Sequence, residues 1–184
     1  MTEDDYKKRL VNLLQDDFEL FPEYGGAWPT GEVVYLDFFC KPKQHVIDQG
    51  FSIDCFAVEV KSPDVGREPI KKLLDCVLQS YSYTLCDFKG QRPKFTLIYP
   101  EPRMFFCAQK PEKYTGQHNP MNEPEIDIVK RLMQRANVGE LVEDKNFGYE
   151  FRFSRNRMYD PVRGPSKVAN LGSVRRIGSR KVKA

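Results

Sequence analysis

Apolar residues recur along the chain at two periods, which predict helices and strands in alternation. Helical spacing predicts a first helix over residues 3–18, opened by a capping-box-like pair, Thr2 and Asp5. A second amphipathic helix is predicted over residues 67–87, and a shorter one over Ile126–Ala136. The apolar stripe of the second helix consists of Ile70, Leu73, Leu74, Val77, Leu78, Tyr81 and Leu85.

Short apolar runs predict the strands between these helices. The run VVYLDFF, residues 33–39, predicts a central strand, and residues 51–61 predict one or two strands that end at Ser62-Pro63. Residues 95–99 and 104–108 predict two further strands, and 147–155 alternates as an edge strand would. The order of elements predicts an α/β fold.

One strand carries charged residues that its apolar surroundings do not explain. In CFAVEVKSPD, residues 55–64, alternation puts Phe56, Val58 and Val60 on one face. Ala57, Glu59 and Lys61 then share the other face. Burying charge is costly unless it is paired or coordinated, so the Glu59–Lys61 pair needs a cause.

A second acid, Asp37, interrupts the preceding apolar strand 22 residues earlier. Two carboxylates can share a hard cation such as Mg²⁺, which also takes water and a phosphate oxygen. A lysine beside them can orient or deprotonate the attacking water and stabilise the developing charge. The alternative is an ion pair that only supports the fold, although such pairs stabilise poorly compared with apolar residues.

The order helix, strand with Asp37, strand with Glu59-Val60-Lys61, helix and strand resembles the PD-(D/E)XK nuclease superfamily over residues 1–100. The resemblance implies a restriction-endonuclease-like αβββαβ core, in which helices flank a small mixed central sheet. It implies that Asp37, Glu59 and the Val60 carbonyl bind Mg²⁺, for which Mn²⁺ would substitute, and that Lys61 is catalytic. Leu36 stands where the family pattern has proline.

The resemblance also suggests two further sets of site residues. Some members add an acid from the first helix, for which Glu3 is the candidate and Glu19 and Glu23 are alternatives. Gln79 and Tyr83 have the Q-x-x-x-Y spacing of the RecB-like and lambda-exonuclease-like branch and could reach DNA or the metal. The alternative is that both residues lie on the solvent-exposed face of the helix, because the apolar stripe is centred on a different face.

The C-terminal residues are strongly basic. Residues 151–184 contain ten Lys/Arg and one acid, Asp160. We therefore predict a nuclease-like domain over residues 1–155 and a flexible basic tail over 156–184. The tail could bind phosphates or serve only as a solubilising end. Its candidate DNA-binding residues are Arg175, Arg176, Arg180, Lys181 and Lys183.

These features predict an Mg²⁺-dependent DNA nuclease, exonuclease or endonuclease, with a partner protein as a candidate source of specificity. The alternative is a non-catalytic nucleic-acid-binding or assembly module on the same fold. An N-terminus without an apolar core, no apolar run of membrane-spanning length and five cysteines without a CxxC pair predict a reducing, cytoplasmic location away from membranes.

Overall fold

The computed structural model describes residues 1–63, 68–109, 124–153 and 156–166, which form a mixed sheet with helices on both faces. In chain order the elements are α1 (Glu3–Leu14), β1 (Phe18–Ala27), β2 (Val33–Pro42), α2 (Gln44–Asp48), β3 (Phe56–Val60), α3 (Pro69–Tyr83), β4 (Thr96–Tyr99), α4 (Pro102–Gln109), α5 (Pro124–Arg135), β5 (Val138–Asp144), β6 (Gly148–Phe153), β7 (Asn156–Asp160) and β8 (Gly164–Pro165).

The strands of the described residues lie side by side in chain order, from β1 to β8. β3, β4 and β5 are parallel, because helices connect them, and the other neighbouring pairs are antiparallel. The prediction of an α/β fold with a mixed sheet is confirmed. With eight strands, the sheet is larger than the small one predicted.

Helices cover the two faces of this sheet unequally. α1 packs on one face through Tyr6, Leu10 and Leu14, against a core that includes Val58 and Val60. α3, α4 and α5 cover the other face, where Leu73 and Ile98 belong to one buried cluster. Along β3 the predicted alternation is confirmed, since Phe56, Val58 and Val60 face α1 while Ala57 packs in the cluster that contains Tyr83 of α3.

α1 begins as predicted and ends earlier. Thr2 and Asp5 form both hydrogen bonds of a capping box, and acidic residues fill the first turn, where the helix dipole favours them. The helix ends at Leu14, before the predicted limit of residue 18, because buried Phe18 already starts β1.

The buried face of α3 differs from the predicted apolar stripe. Leu74, Leu78, Tyr81 and Leu85 are exposed, whereas Leu73, Cys76, Val77, Ser80 and Tyr83 are buried. On this buried face the Ser80 carbonyl accepts from the Thr96 hydroxyl at 2.9 Å, whereas the Ser80 hydroxyl oxygen has no hydrogen-bond partner among the described residues. The prediction that the whole apolar stripe faces the core is therefore wrong.

Two segments have a different secondary structure from the one predicted. Residues 104–108 belong to α4, which starts at Pro102, a residue suited to the first helical position. A short apolar run cannot distinguish a strand from a buried helix, so this prediction of a strand was wrong. Residues 148–153 form a strand as expected, but β5 and β7 flank it, so it is not at an edge.

The sheet extends beyond the domain boundary predicted at residue 155. Residues 156–160 form β7 and add buried Met158 and Tyr159 to the core. Arg157 and Arg163 pair with Asp160 at 2.8 and 2.7 Å, so these two bases belong to the folded domain. The remainder of the predicted tail, residues 167–184, lies outside the described residues.

Among the helices of the described residues, none combines the length and the apolar character needed to cross a membrane. All five cysteines are free.

Candidate active site

Asp37 occupies a gap between two neighbouring strands. The pairing of β2 with β3 ends at Phe38 and Val58. Beyond that point the Val60 backbone N–H donates to Asp37 Oδ2 at 2.8 Å, so the carboxylate replaces the next main-chain partner. Asp37 is thereby fixed next to the residue that follows Glu59.

Lys7 of α1 holds the other oxygen of Asp37. Its Nζ lies 2.6 Å from Asp37 Oδ1 and 3.0 Å from Glu23 Oε1 on β1. The two carboxylates raise the Lys7 pKa although burial opposes this. Our sequence interpretation missed Lys7. The sequence could have indicated this residue, because Lys7 follows Tyr6 at the margin of the apolar stripe of α1, where a lysine is partly buried.

Glu59 is a buried acid at the carboxyl end of β3. Its side chain is 1% exposed, with Oε1 2.9 Å from Lys61 Nζ and Oε2 3.0 Å from the Tyr83 hydroxyl. Oε1 has no well-formed hydrogen bond, so its contact with Lys61 is mainly one of charge. Burial, then the charge of Asp37, raises the Glu59 pKa to about 7, against the opposing effects of Lys61 and Tyr83.

Lys61 directly follows β3, and its backbone N–H donates to the Tyr99 carbonyl of parallel β4 at 3.0 Å. Burial lowers the Lys61 pKa, but the charges of Glu59, Glu3 and Asp37 outweigh burial and raise it. Glu3 thus acts electrostatically on Lys61 from the start of α1. Lys61 lies where the parallel strands end, an edge at which α/β proteins commonly bind ligands.

Tyr83 connects α3 to this site. Its hydroxyl lies 3.0 Å from Glu59 Oε2 and 3.2 Å from the Tyr35 carbonyl, and it accepts a hydrogen bond from Gln79 Nε2 at 2.6 Å. Of the two alternatives considered for Tyr83, the solvated face of α3 does not apply, because Tyr83 is 2% exposed. Gln79 is exposed, so the Q-x-x-x-Y pair joins the surface to the buried acid.

The side chains at this site offer a cation two carboxylates rather than three. Among the described residues, no group of three or more His, Cys, Asp or Glu side chains could hold a metal ion. The donors are nevertheless hard oxygens of the type that Mg²⁺ takes. A cation bound by Asp37 and Glu59 would satisfy Glu59 Oε1 and relieve the electrostatic repulsion between the two acids.

The remaining predicted site residues are not assembled with these two acids. Glu23 contacts Lys7, and neither it nor Glu3 or Glu19 completes a three-acid group. The basic residues proposed for DNA binding lie outside the described residues, and these are Arg175, Arg176, Arg180, Lys181 and Lys183. Comparisons of the chain with protein-family models, with curated proteins and with solved structures find no match in any of the three.

Proposed function

We propose that the protein is a divalent-cation-dependent nuclease that hydrolyses phosphodiester bonds in DNA. The observation that carries this proposal is the state of Glu59, a buried carboxyl group paired with Lys61 and coupled by charge to Asp37. A buried acid that repels a second acid is unfavourable for stability alone. Perturbed acids of this kind cluster at functional sites.

In this proposal Asp37, Glu59 and the Val60 carbonyl hold one Mg²⁺ ion, or Mn²⁺ in its place. The bound cation would polarise a phosphate oxygen and lower the pKa of a water molecule. Val60 N–H and the Tyr83 hydroxyl fix one oxygen of each acid, at 2.8 Å and 3.0 Å. The other oxygen of each acid, Oδ1 or Oε1, pairs with Lys7 or Lys61 and is the one that a cation would take.

Lys61 then acts as a positive charge and hydrogen-bond donor. Its raised pKa keeps it protonated at neutral pH, so in this state it cannot accept a proton from water. A protonated lysine can orient the attacking water or stabilise charge that develops on the phosphate. Of the two roles considered from the sequence, the pKa favours this one over deprotonation of the water.

DNA contacts in this proposal come from the helix surface and the C-terminal residues. Gln79 is exposed and hydrogen-bonded to Tyr83, which brings a polar group of α3 next to the acids. The bases of residues 167–184 would supply affinity for phosphates without taking part in the reaction. A partner protein that provides specificity remains part of the proposal.

One observation favours a second candidate function, a non-catalytic nucleic-acid-binding or assembly module. Lys7 and Lys61 already neutralise Asp37 and Glu59, at 2.6 and 2.9 Å. An ion-pair network of this kind can persist without any metal and would leave the fold as a binding surface.

The experiment that separates the two functions uses labelled linear and circular DNA, each single- and double-stranded, with Mg²⁺ or with EDTA. A nuclease gives products with Mg²⁺ and none with EDTA, and the product ladder distinguishes cleavage from ends and internal cleavage. A binding module shifts the DNA in a gel and leaves it intact in both buffers. Matched RNA substrates test the assignment to DNA.

A further inference from the structure

We propose that Lys7 is a positioning residue which holds the place of the divalent cation at Asp37 and transfers to Glu23 when the cation binds. The inference rests on the proposed cation site and adds a residue to it. Lys7 belongs to α1, and neither the E-x-K pattern nor the Q-x-x-x-Y pair includes it.

The two oxygens of Asp37 have different partners, and this decides which one a cation would take. Oδ2 accepts the Val60 N–H at 2.8 Å, a main-chain bond that fixes the carboxylate in the gap beside β3. Oδ1 is 2.6 Å from Lys7 Nζ. A cation at Oδ1 would occupy the position of the ammonium group, and the two positive charges would repel each other at that distance.

Glu23 provides the partner that Lys7 needs after such an exchange. Lys7 Nζ is already 3.0 Å from Glu23 Oε1, so the move requires no rearrangement of α1. The Glu23 side chain is 67% exposed and free to follow the ammonium group, whereas Asp37 is 11% exposed. Glu23 therefore lies on the solvent side of Lys7, and Asp37 lies on the side of the candidate cation site.

An irregularity in β1 places Glu23 beside this pair. The register runs from Pro22 opposite Phe38 to Tyr24 opposite Leu36, so Glu23 falls next to Asp37 across the strands. Glu23 has a φ of 46°, a left-handed conformation that is uncommon for residues other than glycine. From this position the Glu23 side chain contacts Lys7.

The test measures Mn²⁺ binding by calorimetry, with no DNA and no turnover. Lys7→Met removes the competing charge and keeps most of the aliphatic stem, so Mn²⁺ should bind about five- to tenfold more tightly, given the usual strength of such pairs. Glu23→Gln removes the alternative partner, so Mn²⁺ should bind about two- to threefold more weakly. Lys8→Met, on the exposed side of α1, is the matched control for loss of one charge and should change nothing.

The outcomes distinguish this inference from the proposed function. If wild type binds Mn²⁺ through Asp37 and Glu59, but Lys7→Met binds it no more tightly, the inference is overturned and the cation site stands. If Lys7→Met does not fold, an unchanged affinity in Glu23→Gln overturns the inference in the same way. If neither wild type nor Lys7→Met binds Mn²⁺, the proposed function and the inference fail together. Binding by Lys7→Met alone would support both.

Discussion

The hydroxyl of Tyr83 on α3 lies 3.0 Å from Oε2 of Glu59 on β3, so the helix supplies a hydrogen-bond donor to the most deeply buried acid of the candidate site. The same hydroxyl accepts from Gln79 at 2.6 Å, which leaves its proton for Glu59 or for the Tyr35 carbonyl at 3.2 Å. This contact connects the orientation of α3 to the ionisation of Glu59.

Replacing Tyr83 by phenylalanine should destabilise the protein more at alkaline pH than at acidic pH. The lost hydrogen bond favours the charged form of Glu59, and bonds to charged groups contribute about 1.5–3 kcal/mol. We expect a loss of about that size near pH 8 and a smaller one near pH 5, measured by denaturant unfolding. Tyr81→Phe, at an exposed position of α3, is the control and should have little effect. Equal losses at both pH values would contradict this account of Tyr83.

Glu59→Gln should make the metal-free protein more stable at pH 8. The folded-state pKa of Glu59 is about 7, above its ordinary value of 4.5, so the folded state holds the proton more tightly than the unfolded chain. Stability from this group is therefore greatest below pH 4.5, falls as pH rises towards 7 and is constant above it. Because glutamine does not titrate, Glu59→Gln lacks this loss of stability as pH rises.

The measurement is the difference in free energy of unfolding between Glu59→Gln and wild type, followed from acidic to alkaline pH in EDTA. We expect it to rise by up to about 3 kcal/mol, at roughly 1.4 kcal/mol per pH unit over the interval between the two pKa values. Saturating Mg²⁺ should reduce the difference, because a bound cation stabilises only the protein that retains Glu59. A difference that is independent of pH would mean that Glu59 keeps an ordinary pKa.

The orientation of α3 can be tested with two of its leucines. Leu73 is 0% exposed and Leu78 is 63% exposed, although both belong to the apolar stripe of the sequence. Leu73→Ala should cost about 2–5 kcal/mol of unfolding free energy, the usual range for a buried leucine, and Leu78→Ala less than about 1 kcal/mol. Thermal or denaturant unfolding of both variants provides the comparison. Comparable losses in the two variants would instead support the orientation that periodicity predicts, in which both leucines face the core.

The sequence predicted the strand that carries the candidate site because the physical constraint there is local. Phe56, Val58 and Val60 alternate with Ala57 and Glu59, and alternation alone determines the two faces of β3. The capping box of Thr2 and Asp5 is equally local. Both features were therefore predicted correctly.

The orientation of α3 could not be predicted in this way, because tertiary contacts determine it. Part of the apolar stripe, including Leu78 and Tyr81, faces solvent. The buried face includes Ser80 and Tyr83, whose partners Thr96 and Glu59 lie on strands distant in sequence. Lys7 was missed for the same reason, since its partner Asp37 is 30 residues away and a lysine on a helix normally indicates a solvated position.

The bases near the C-terminus should govern affinity for DNA rather than turnover. Five Lys/Arg residues lie between Arg175 and Lys183. Each one that neutralises a phosphate steepens the salt dependence of duplex binding by about 0.9 in the log–log slope. Deleting residues 174–184 should thus flatten the slope by up to about 4.5 and weaken binding most at low salt.

The control for this deletion is a full-length variant in which the same five bases are glutamine, which keeps the length and removes the charge. Both proteins should show the reduced slope and near-normal turnover at saturating DNA. Slopes that superimpose on that of wild type would assign the segment to solubility or to contact with a protein partner.

The most direct test of the proposed nuclease is the cleavage rate of Glu59→Gln at saturating DNA and Mg²⁺ near pH 8. Because Glu59→Gln without metal is expected to be at least as stable at pH 8 as metal-free wild type, a loss of cleavage would not be explained by unfolding of the variant. We predict that cleavage falls by about a hundredfold or more while DNA binding is retained, as expected for loss of a cation ligand. Lys71→Met, on an exposed part of α3, should cut DNA at the wild-type rate. Cleavage by Glu59→Gln at the wild-type rate would contradict the assignment of Glu59 to the reaction.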